Sequence, residues 1–132
     1  MREIILFGCK DTTLHAARFL ENLDLKIHLV TISPELAASN HVAGYEDLTV
    51  KRKIFESIYV ANSYSLNDED ITAIKNIYHV SLGFCVGWQR LIPEALLSMF
   101  SVGVFGMHGS ARDLPFGKGR SPMNWALIEG RK

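Results

Sequence analysis

Apolar residues along the chain fall into two rhythms. Glu3–Gly8 (EIILFG) is a continuous apolar run closed by glycine, the pattern of a strand covered on both faces of a parallel sheet. Asp11, Thr12 and Thr13 follow with side-chain oxygens that can cap a helix. Ala16, Phe19, Leu20 and Leu23 then recur at helical spacing and predict an amphipathic helix over Thr12–Asn22. Lys26–Ile32 (KIHLVTI) predicts a second strand. Strand, helix and strand within about 30 residues make a βαβ unit, right-handed by the general rule.

Ser33-Pro34 ends the second strand. Pro34–Tyr45 reads two ways: ELAAS fits a short helix, whereas Asn40 and Gly44 signal turns. Asp47–Glu56 carries Lys51-Arg52-Lys53 and reads as a solvated face. Ser57–Ala61 (SIYVA) predicts a third strand. Asn67 and Asp68 can cap a helix over Asp68–Asn76, with Ile71, Ala73, Ile74 and Ile77 as its apolar side. His79–Phe84 (HVSLGF) predicts a fourth strand, Pro93 opens a helix running to about Phe100, and Val102–Met107 predicts a fifth strand. Ser121 as N-cap and Pro122 at the first helical position start a final helix ended by Gly130, with Met123, Ala126 and Leu127 packing on the sheet. The alternation predicts a three-layer α/β/α domain with a mainly parallel, Rossmann-like sheet. Ligands gather beyond the carboxyl ends of strands in such sheets. Three loops leave there: Gly8–Asp11, Phe84–Leu91 and His108–Arg120.

Composition narrows the partners. The chain has 132 residues, enough for one domain with a substantial core. Lys+Arg and Asp+Glu are 14 each, so the net charge is zero. That argues against nucleic acid as the main partner, since such binding usually shows a basic excess, and leaves a local basic patch open. Cys9 and Cys85 sit in apolar, strand-like contexts and read as buried, reduced thiols. The cysteines and the scattered histidines lack zinc-ligand spacing, so no metal is expected. The N-terminal apolar run is too short for a signal segment, and no run approaches the ~20 residues of a membrane span. The expected location is the cytoplasm, without a membrane partner.

Few stretches are shaped for chemistry. There is no G-x-G-x-x-G fingerprint and no phosphate-cradling G-x-x-x-x-G-K-[ST]. His108 ends the fifth predicted strand between Gly106 and Gly109, which would let a ligand or another backbone come close. Imidazole suits proton transfer near neutral pH; a structural histidine bonded to a loop carbonyl is the other reading. Leu114–Arg120 (LPFGKGR) puts Lys118 and Arg120 on a glycine-rich loop before a predicted helix start, either an anion site or a surface loop. His15, on a helix, His28 and His79, in strands, and His41, in a loop, read as structural.

These blocks resemble the folate-dependent formyltransferase family, with its methionyl-tRNA formyltransferase-like and sugar N-formyltransferase-like branches. The likeness runs over Gly83–Gly130: His108-Gly109-Ser110, Leu114-Pro115, Lys118-Gly119, Pro122 and Ala126-Leu127-Ile128-Glu129-Gly130, with Gly87-Trp88-Gln89-Arg90-Leu91-Ile92-Pro93 upstream. Over Met1–Tyr78 it is architectural. The resemblance implies a formyltransferase fold and transfer of a formyl group from 10-formyltetrahydrofolate to an amine. It implies that His108 is the catalytic acid–base. Trp88, Gln89, Arg90, Leu91 and Ile92 would line the pterin pocket. Ser110, Lys118, Arg120 and Asn124 would face the acceptor or its anionic groups. The segment GRSPMNWALI sits nearest the sugar-formylating or uncharacterised branches, so the expected acceptor is a nucleotide-linked sugar rather than tRNA.

Two departures bear on activity. The family's catalytic Asn falls at Gly106, and its Asp lies further along than Lys132. Residues 1–132 are therefore expected to form an N-terminal-type formyltransferase domain that is incomplete at its carboxyl end, with an open edge strand that invites a homodimer. Loss of one oxyanion donor costs ~2.7–4 kcal/mol in known cases, so weak catalysis is expected. The alternative is a degenerate domain of the same fold that binds folate or nucleotide without turnover.

Overall fold

The computed structural model describes residues 2–51, 53–109 and 123–128, with 107–109 and 123–128 described through their backbone alone. Its elements are β1 (Arg2–Phe7), α1 (Asp11–Glu21), β2 (Leu25–Thr31), α2 (Pro34–Ser39), a single turn at Leu48–Val50, β3 (Ser57–Val60), α3 (Asp68–Ile77), β4 (Leu82–Val86), α4 (Glu94–Leu97), β5 (Gly103–Gly109) and β6 (Met123–Ile128). The strands form one sheet in the order β3-β2-β1-β4-β5-β6. Strands β1 to β5 are parallel, and β6 pairs antiparallel to β5. The predicted mainly parallel α/β sheet is the observed one.

β1 explains the continuous apolar run at the start of the chain. It is flanked by β2 and β4, and its side chains alternate between two covered faces. Ile4 and Leu6 pack with Ile27, Leu29, Ala17 and Leu20 under α1. Ile5 and Phe7 pack with Val30, Ile32, Ile74, Leu96 and Trp88 on the other side. The buried side of α1 is Thr13, Ala17 and Leu20, while Phe19 and Leu23 are exposed, so the helix is turned from the phase its apolar spacing predicts. The ambiguous stretch after β2 resolves as α2. Ser33 caps it by accepting from the Leu36 N–H at 3.1 Å. In the basic run Lys51 is half-buried and Lys53 exposed, Arg52 lies outside the described residues, and Leu48 and Phe55 on either side are buried.

Three predicted elements differ. The fourth strand begins at Leu82 rather than His79, because Tyr78 and Val80 are spent as buried core anchors before the ladder starts; His79 is an exposed connector residue. The helix after Pro93 is only Glu94–Leu97. The predicted final helix is instead strand β6, its residues registered from Val104↔Ile128 to Gly109↔Met123. Met123, Trp125 and Leu127 also alternate with period two, so the apolar pattern fits both structures. Pairing with the outer edge of β5 satisfies that edge's backbone groups and decides between them.

Two polar networks tie the elements. At the amino end of the sheet His28 lies between Glu3 Oε1 (2.7 Å) and Ser57 Oγ (2.8 Å), and Ser57 Oγ lies 2.8 Å from the Tyr78 hydroxyl. This chain laces β1, β2, β3 and the end of α3. At the carboxyl end of β3, the fully buried Asp70 accepts four hydrogen bonds. Its donors are the Tyr59 hydroxyl at 2.7 Å and the N–H groups of Asn62 (2.8 Å), Ser63 (3.1 Å) and Asn67 (3.2 Å). Asp70 thereby holds the whole β3–α3 connection onto the first turn of α3, a capping box with Asn67 included.

Two outcomes follow from these networks. Asp70→Ala leaves four donors without their acceptor and should lower the stability by about 2–4 kcal/mol, read from the urea unfolding midpoint. The hydrogen bond from His28 holds the Glu3 carboxyl below its ordinary 4.5. A carboxyl lowered on folding stabilises the native state above its unfolded pKa, and the gain is lost as pH falls through the lowered value. Glu3→Gln should therefore melt below the wild type at neutral pH, and the two melting curves should converge in acid.

Candidate functional site

The chain runs outward from β1 through β2 to β3, then returns to β4 on the other side of β1. The order of connection reverses between β1 and β4, and it is beyond the carboxyl ends at such a switch point that open parallel sheets generally offer a crevice. Its base is unusually close-packed. Thr13 Oγ1, on α1, donates to the Val86 carbonyl at 2.5 Å and accepts from the Lys10 N–H at 3.2 Å. A β-carbon on Gly8 would lie 2.1 Å from Thr13 Oγ1 and 2.2 Å from the Val86 oxygen. One on Gly87 would lie 2.4 Å from Thr13 Oγ1, and Gly87 has a φ of +79°. Only glycine fits either place. The Cys9 N–H donates to the Gly87 carbonyl at 3.1 Å, and the Glu46 N–H to the Cys9 carbonyl at 2.9 Å. These contacts fix the direction in which residues 88–92 leave β4.

That loop divides into buried and exposed members. Trp88 and Ile92 lie in the core. The Trp88 ring meets Tyr64 edge-on at 4.9 Å and Phe7 at 6.2 Å. Its Nε1 is buried and, among the described residues, has no hydrogen-bond partner. Gln89 and Arg90 are exposed, and Leu91 is 89% exposed. The Arg90 guanidinium donates to Asn40 Oδ1 at 3.0 Å and lies 4.8 Å from the centre of the Tyr64 ring.

His108 lies one position beyond the last β4–β5 pair, Val86↔Met107, and so stands level with Gly87 at the carboxyl edge. Across the β5–β6 ladder it is registered with Asn124, and Gly106 is registered with Cys85 and Ala126. The backbone thus brings His108, Asn124 and the 88–92 loop to one edge. Ser110, Lys118 and Arg120 lie outside the described residues. Of the other histidines, His28 is part of the structural lacing, and His15, His41 and His79 are exposed. Among the described residues no group of histidine, cysteine and carboxylate side chains could hold a metal ion.

The electrostatics of the crevice wall are quiet. Burial pushes the Cys9 thiol up and the Cys85 thiol up to about 12. Burial also pushes the Tyr64 phenol up to about 12. All three stay protonated at neutral pH and serve as packing and hydrogen-bonding groups rather than nucleophiles.

Sequence reasoning missed Tyr64, Asn40 and the role of Thr13. A threonine five residues after a strand-ending glycine is the one signal that could have marked the close approach. Nothing local marks Tyr64, which is brought to the loop by the β3–α3 connection. Gly87→Ala adds both a strained φ and a clash with Thr13, and should cost about 2–4 kcal/mol. A urea titration checks the size, and the near-ultraviolet dichroism of Trp88 should change with it.

No protein-family model matches the chain. It is 37% identical over 107 residues to a methionyl-tRNA formyltransferase of Azobacteroides pseudotrichonymphae, which covers 80% of this chain and 32% of that protein. It is 26% identical over 128 residues to a methionyl-tRNA formyltransferase of Parabacteroides distasonis, covering 96% of this chain and 39% of that protein. The chain thus spans between about three and four tenths of the length of these relatives. Among solved structures it superposes on glycinamide ribonucleotide transformylase 1 from Geobacillus kaustophilus with a TM-score of 0.54 and 19% identity, over 90% of this chain and 64% of that one. That likeness is one of fold. By sequence and by fold together, the chain is related to the formyltransferases, the family that its Gly83–Gly130 segment resembles.

Proposed function

We propose that residues 1–132 form the N-terminal-type domain of a formyltransferase and carry formyl transfer from 10-formyltetrahydrofolate to an amine. The observation behind this reading is the shared level of Gly87 and His108 at the carboxyl edge, which puts the Gln89–Leu91 loop beside a histidine on the next strand. The relatives' names supply the reaction class. The donor, when bound, supplies a formyl carbon activated for attack by an amine. A pterin needs an apolar surface with a few placed donors. Exposed Leu91 and the polar pair Gln89 and Arg90 fit that need.

In this reading Gln89, Arg90 and Leu91 hold the donor, while Trp88 and Ile92 anchor their loop from the core. His108 takes the proton released by the attacking amine. Gly106 has no side-chain amide to offer the developing oxyanion, so a backbone N–H or Asn124, which is registered with His108, would have to take that part. Ser110, Lys118 and Arg120 serve the acceptor side. The sequence-based choice of a nucleotide-linked sugar finds no support among the relatives. Their names give methionyl-tRNA, and that is the acceptor we carry forward. Gly106 in place of the family Asn also supports a second reading, a domain that binds the donor without turnover.

Calorimetry with 5-formyltetrahydrofolate, paired with a formyl-transfer assay on methionyl-tRNA and on amino-sugar nucleotides, separates these readings. The expected result is donor binding, with transfer reduced about 100-fold or more in His108→Ala. Binding without transfer to any amine selects the second reading, and no heat from a folded sample rejects both.

A further inference from the structure

The loop that carries Gln89, Arg90 and Leu91 has little to hold it. Among the described residues, the backbone of Gln89–Leu91 makes one hydrogen bond: the Gln89 N–H donates to the Tyr64 hydroxyl at 2.8 Å. Tyr64 touches the two neighbouring residues as well. Its ring meets Trp88 edge-on at 4.9 Å and carries the Arg90 guanidinium at 4.8 Å. Three successive loop residues therefore rest on one side chain, 25 positions away in sequence from Gln89.

Tyr64 is itself immobilised. It is 2% exposed. It sits on the β3–α3 connection that Asp70 clasps through the N–H groups of Asn62, Ser63 and Asn67. Two residues on, Leu66 holds a left-handed φ of 61° with its side chain buried. A non-glycine residue keeps that conformation only where the surroundings over-determine it. The Tyr64 hydroxyl also lies 4.0 Å from Cys9 Sγ, on the far side of the crevice base. One phenol thus links the carboxyl ends of β1, β3 and β4.

We propose that Tyr64 is the positioning residue of the candidate donor loop, fixing Gln89–Leu91 through its hydroxyl and ring, with Asp70 as its support. This rests on the reading of that loop as the donor site. Tyr64 acts through the loop rather than on the reacting atoms, so its loss changes donor affinity and leaves the chemical step alone. Tyr64→Phe keeps both ring contacts and removes the hydroxyl, which is the acceptor for the Gln89 N–H and the longer contact of Cys9 Sγ. Tyr78→Phe is the control: it removes a phenol hydrogen bond to Ser57 at the opposite end of the sheet.

The experiment measures amide hydrogen exchange at residues 89–91 and calorimetric affinity for 5-formyltetrahydrofolate in the full chain and both variants. Tyr64→Phe should speed exchange at Gln89 and weaken donor binding about five- to tenfold, the size of one net hydrogen bond. Tyr78→Phe should change neither. Wild-type exchange at Gln89 in Tyr64→Phe overturns the inference, as does wild-type affinity with faster exchange. If the wild type itself binds no donor, the folate reading of the loop falls. Tyr64 is then judged by exchange alone: faster exchange at Gln89 retains it as the loop's anchor, and unchanged exchange removes it.

Discussion

The space between the carboxyl ends of β1 and β4 has no room for a β-carbon, and the candidate site depends on that. Thr13 stands with its hydroxyl against Val86, and the backbones of Gly8 and Gly87 close on it from two sides. Because the approach is so tight, the end of β1, the start of α1 and the exit from β4 form one rigid piece. The chain therefore leaves Gly87 in one direction, and beyond that point Tyr64 takes over the holding of the loop. A crevice at a topological switch point is a general property of open parallel sheets. Here the two glycines and one threonine give it a fixed floor.

The two ends of the sheet are finished differently. At the amino end, a carboxylate, an imidazole, a hydroxyl and a phenol run in line from Glu3 to Tyr78. Taken as a set of residue types, serine, histidine and glutamate would suggest nucleophilic catalysis. Their place argues otherwise. Ser57 is held between His28 and Tyr78, on strands whose ligand-facing ends point the other way. The same polar residue types serve as lacing at one end of the fold and as candidate chemistry at the other. Position in the sheet, rather than identity, separates His28 from His108.

Much of the framework was legible in the residues. The run Ile4–Phe7 required cover on both faces, and the alternation of strands and helices required a mainly parallel sheet. The edge position of His108 follows from the strand boundary read in advance. What could not be read was long-range. Met123–Ile128 carries an apolar pattern compatible with two periods, and only the open edge of β5 selects the strand. The phase of α1 depended on Thr13 turning inward to meet Val86, a contact 73 positions apart. Tyr64 was invisible for the same reason: its importance lies in an acceptor oxygen offered to a backbone group that is distant in sequence. Trp88 and Ile92 looked like ligand contacts because they sit inside a recognised segment, yet their burial makes them part of the wall.

The two cysteines carry a consequence of their own. Thiols are oxidised, alkylated and exchanged as thiolates. Burial pushes the Cys85 thiol up to about 12, so it stays a thiol at neutral pH. Cys9, raised by the same burial, offers its hydrogen to a backbone carbonyl instead. This edge of the sheet is thus built partly of sulfur, held buried in its protonated and least nucleophilic form.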